Sequence, residues 1–76
     1  MNFFKDKVRK YQEKKLLEAE QKIKFHTGIK GNLEKELKKY TDSAEIKREI
    51  QKQEEFIQIW QKNLNSIKTQ LKKLGT

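Results

Sequence analysis

The chain contains no cysteine, which removes disulfide staples, thiolate nucleophiles and thiolate metal ligands together. It contains no proline either, so no residue lacks the backbone N–H that a long helix needs. Histidine occurs once, at His26, without a second ring at helical spacing, and no metal site is expected. No apolar run approaches the roughly 18–20 residues of a membrane span. Met1-Asn2-Phe3-Phe4 is too brief for the apolar core of a secretory leader, and Lys5, Lys7, Arg9 and Lys10 follow directly. The expected compartment is therefore the cytoplasm. Serine and threonine stand apart from any glycine-rich elbow or neighbouring base, and Gly28-Ile29-Lys30-Gly31 lacks the spacing of a phosphate loop. No catalytic residues and no cofactor are expected, and the chain does not read as an enzyme.

What remains is polar and periodic. Hydrophobic residues make up 33% of the 76 positions and charged residues 39%, too polar for a globule with a large interior. From Ile46 onward, Ile46, Ile50, Gln53, Ile57, Trp60, Leu64, Ile67, Leu71 and Leu74 recur at alternating steps of four and three. That spacing keeps one seam of a helix against a neighbouring helix. Residues 3–40 repeat the pattern through Leu16, Ala19, Ile23, His26, Lys30, Leu33, Leu37 and Tyr40. Gly28 and Gly31 each cost a helix interior about 1 kcal/mol and raise the alternative of a kink over 27–32. Because the seam keeps phase across them and both fall on the opposite face, one continuous helix is expected.

Tyr40-Thr41-Asp42-Ser43-Ala44-Glu45 marks the boundary. Asp42 with Glu45 resembles a capping box, and Ser43 is a competing cap. The expectation is a single all-α domain over 1–76: a helix over 3–40, a turn over 41–43, and a helix over 43–74 that Gly75 terminates. So short a connection makes the two helices an antiparallel hairpin of coiled-coil type. Folding the sequence at that turn sets Leu37 opposite Ile46, Leu33 opposite Ile50, Ile23 opposite Trp60, Ala19 opposite Leu64 and Leu16 opposite Ile67. The polar seam residues Lys30 and Gln53 fall opposite each other. Glu34 is placed near Lys47, and Glu13 near Lys68. A register half a turn away keeps the apolar layers but separates Lys30 from Gln53.

Several large apolar residues do not fit the seam. Phe25, Ile29, Phe56 and Ile59 fall on one lateral side near mid-hairpin, with Phe4, Val8 and Tyr11 on that side at the terminal end. Such a flank either widens the core around Trp60 or forms an interface. Self-association into a four-helix bundle would cover it with its own copy, and a different protein partner could use the same surface.

The formal net charge is +8, and residues 1–40 carry twelve basic and six acidic side chains. Lys7, Lys10, Lys14, Lys24, Lys35 and Lys38 share the outer face of the first helix. This ridge makes nucleic acid a second candidate partner, through point-charge contact with phosphates rather than base reading. The segment Phe3 to Tyr11 is also a short basic amphipathic stretch. With no lipidation motif beside it, contact would be weak, and a membrane is not an expected partner. Homo-oligomerisation and docking on a macromolecular partner as an adaptor, inhibitor or assembly factor form the leading expectation.

Overall fold

The computed structural model describes residues 3–75; Met1 and Asn2, used in the leader argument, and Thr76 lie outside the described residues. Two helices follow one another, α1 over Phe3–Lys39 and α2 over Ala44–Gly75. They pack side by side as an antiparallel hairpin, a rod measuring 61 × 14 × 14 Å between Cα extremes. Its radius of gyration is 17.3 Å, against about 11 Å for a compact domain of this length.

α1 is long because nothing in it stops a helix. Lys, Glu, Gln, Leu and Ala dominate, and the two interior glycines keep helical backbone angles; no glycine among the described residues has positive φ. The continuous reading therefore holds, and 27–32 is not a break. Lys38 and Lys39 occupy the last turn, where cations complement exposed carbonyls.

The connection is tighter at its start than the sequence suggests. Tyr40 is already outside α1, and the Ser43 N–H donates to its carbonyl at 3.0 Å to close a β-turn. Tyr40 is 65% exposed, so it does not extend the seam as expected. Of the two candidate caps Ser43 is the one used: its hydroxyl accepts the Ile46 N–H at 3.2 Å while its carbonyl accepts the Lys47 N–H. At the other end α2 runs through Gly75 instead of stopping before it, with no left-handed cap. The carbonyl of Leu74 receives a hydrogen bond from Arg9 at 3.4 Å, so the partner helix supplies part of the capping.

The seam buries little. Among the described residues Ala19, Leu64 and Ile67 are the buried apolar ones, with Leu16, Ile23, Trp60 and Leu71 packed against them. No large side chain among the described residues is fully enclosed. Ala19 has no exposed surface at all: its methyl is small enough to let the backbones approach opposite Leu64. The seam also extends further towards the termini than the apolar residues indicate. Lys5, Arg9 and Gln12 continue its spacing and are half-buried, and the Gln12 amide donates to the Gln70 side chain at 3.0 Å.

Candidate functional site

Gln53, the one buried polar residue among those described, organises mid-hairpin. Its amide oxygen lies 2.6 Å from His26 Nδ1. With the amide so oriented, Nδ1 carries the proton and donates. The sequence register sets Gln53 opposite Lys30, and the structure keeps that level but gives the hydrogen bond to His26. His26 lies one turn earlier on the same seam, and its flat ring reaches Gln53 directly. Lys30 turns outward, and its ammonium meets Glu54 at 3.4 Å, half-exposed. The imidazole satisfies the buried amide without placing there an ammonium that burial would desolvate. The expected partners Glu34–Lys47 and Glu13–Lys68 form no ion pairs. All four are exposed, and water screens what attraction remains.

His26 ties this polar pair to the lateral flank. Its ring stacks on Phe56, centroids 4.8 Å apart and planes 24° from parallel. Phe25 meets the same imidazole edge-on, at 5.2 Å and 73°. Both contacts are in the range where ring pairs contribute beyond area burial. The flank therefore grows out of the seam: Gln53 fixes His26, and His26 gives Phe56 a surface to lie on.

Number each helix so that seam residues take positions a and d of the heptad. Ile29 and Phe56 then fall at g, Phe25 and Ile59 at c, and an antiparallel pair places both g positions on one side. Burial follows this geometry. Ile29 and Phe56 are half-buried beside the seam, whereas Phe25 is 60% and Ile59 61% exposed. At the terminal end Phe4, Val8 and Tyr11 continue the line, all exposed. The opposite flank is mostly polar there, with Thr27, Glu34, Glu54 and Gln61. Leu17, 56% exposed, is a large apolar side chain on that other side. The sequence reading missed it because it belongs neither to the seam nor to the grouped flank.

The lysine ridge is where its spacing put it. Lys7, Lys10, Lys14, Lys24, Lys35 and Lys38 are all exposed, and none of them is in an ion pair. Lys7 instead lies over the Phe3 ring, 5.5 Å from its centroid. Gly28 and Gly31 interrupt the ridge, and a methyl added at either would meet nothing within 4 Å. Among the described residues no group of three or more His, Asp or Glu side chains gathers as metal ligands would. No helix among them is long and apolar enough to cross a membrane. No family model matches the chain, nor does any curated protein or solved structure.

Proposed function

We propose that the chain is a small non-enzymatic interaction module of the cytoplasm, acting by docking its lateral flank on a macromolecular partner and associating with itself. The observation that carries this reading is the one-sided exposure of Phe25 and Ile59 beside half-buried Ile29 and Phe56. Scattered surface apolar residues are ordinary, but a contiguous cluster on one side of a thin rod is what interfaces use. Phe25 and Phe56 give it the aromatic area in which protein interfaces are enriched. The thinness of the core points the same way. Three buried apolar side chains among the described residues are few for a hairpin of this length, and association would supply burial that a lone hairpin lacks.

Phe25→Asp/Ile59→Asp tests the reading without touching the seam, since both side chains are largely exposed. The unmodified chain is expected to show a mass above that of one hairpin by light scattering. The double variant is expected to be monomeric and still helical by circular dichroism. A monomeric mass for both proteins, together with no difference in partner capture, removes the proposal.

The second reading is contact with nucleic acid along the lysine ridge, supported by six exposed ammonium groups that have no carboxylate partner. Retention of duplex DNA or RNA should then fall steeply as salt rises. A chain that is not retained even at low salt excludes it.

A further inference from the structure

The hairpin does something to charge that the linear sequence hides. It brings residues 3–15 and 68–75 together at one end of the rod, held by the Arg9–Leu74 and Gln12–Gln70 hydrogen bonds. Residues 3–15 carry six basic and two acidic side chains, and residues 68–75 carry three basic and no acidic ones. Net charge at this end is thus +7, while the ten basic and nine acidic side chains of residues 16–67 leave +1 for the rest. At about 1.5 Å per residue this end spans ~20 Å, one third of the rod. The N-terminal pole of α1 and the C-terminal pole of α2 meet at this end and oppose each other, so the excess positive charge there comes from side chains.

The same end holds the most exposed of the large apolar side chains. Phe3 is 71% and Phe4 81% exposed, with Tyr11 at 57% and Val8 at 39%. Phe4, Val8 and Tyr11 lie at i, i+4 and i+7, one stripe along α1. Lysines border and cross it: the Lys15 ammonium sits 5.6 Å from the Tyr11 ring centroid, and Lys7 covers Phe3. Beside the stripe, Val8, Gln70, Lys73 and Leu74 line a shallow groove between the helices.

We infer that this end of the rod docks on the surface of an anionic phospholipid bilayer, Phe4, Val8 and Tyr11 entering the headgroup–acyl boundary while the surrounding lysines meet lipid phosphates and carboxylates. Charge complementarity requires a polyanion. The apolar stripe selects among polyanions: a phosphate backbone rewards cations and stacking rings, but it offers nothing for Val8 to enter. A bilayer accepts both parts of the surface at once. The site lies on the same side of the rod as the Phe25–Ile59 cluster but nearer the termini, roughly 20 Å along α1 from it.

The test is co-sedimentation of the full chain with vesicles of pure phosphatidylcholine and with vesicles containing a third phosphatidylserine. Binding is expected to the anionic vesicles only. Phe4→Ser/Tyr11→Ser keeps every charge, and Lys7→Ser/Lys14→Ser keeps every ring; each should weaken binding about tenfold or more. Phe25→Asp/Ile59→Asp should leave it unchanged, which separates this site from the flank. The inference is overturned by absence of binding to anionic vesicles at low salt. It is equally overturned if Phe4→Ser/Tyr11→Ser binds vesicles as tightly as the parent chain, the behaviour of a plain polycation. Retention of DNA at physiological salt without vesicle binding would give this end to nucleic acid instead.

Discussion

Gly28 and Gly31 sit mid-helix with ordinary helical angles and open space where a side chain would go. Neither position uses the conformational freedom that glycine supplies, so the backbone entropy it costs is not offset by local geometry. Gly28→Ala and Gly31→Ala should each stabilise the hairpin by about 1 kcal/mol, seen as a higher urea midpoint at unchanged slope. Gln53 makes the opposite case. It is 8% exposed and its amide oxygen is the acceptor for His26. Gln53→Ala strands that ring nitrogen and should cost about 1–3 kcal/mol. His26→Leu/Gln53→Leu removes donor and acceptor together and should recover most of the loss in the same urea titration. A double variant as unstable as the single one would mean that the polar pair does not set the cost.

At the scale of the helices, the turn and the most enclosed point of the seam, Ala19, matter most. Ser43→Ala removes the hydroxyl that accepts the Ile46 N–H and should cost about 1 kcal/mol, with loss of protection of that amide in hydrogen exchange. Ala19→Leu forces a larger side chain between helices that touch there, and should cost about 1–3 kcal/mol in thermal melts. The seam, its register and the turn were legible because seven-residue spacing in one half has to match the other. Leu64 with Ala19 and Ile67 with Leu16 are such matches, and they pack together. The details that escaped are set by side-chain reach. Spacing cannot say whether Gln53 meets Lys30 or His26, since both lie within one turn of it. Nor does it show Lys5, Arg9 and Gln12 continuing the seam, because apolar character is the signal and these three have none. The flank was visible as apolar residues out of phase. That Phe56 leans on His26, leaving Phe25 and Ile59 outermost, needed coordinates.

For the whole molecule, shape and burial decide behaviour in solution. With so few apolar side chains enclosed, the melting temperature should rise with protein concentration if hairpins associate, as mass action requires. Calorimetry across a wide concentration range checks this, and a constant melting temperature would count against self-association. The rod form complicates mass determination, because a particle whose Cα trace is 61 Å long and 14 Å across sediments and elutes unlike a sphere of equal weight. Antiparallel topology has one more practical consequence. Phe3 and Gly75 emerge together, so an affinity tag on either terminus lands beside Phe4 and the basic cluster and would shield the very surface under test. Fluorophores and immobilisation handles belong instead at Thr41 or Asp42, at the far tip.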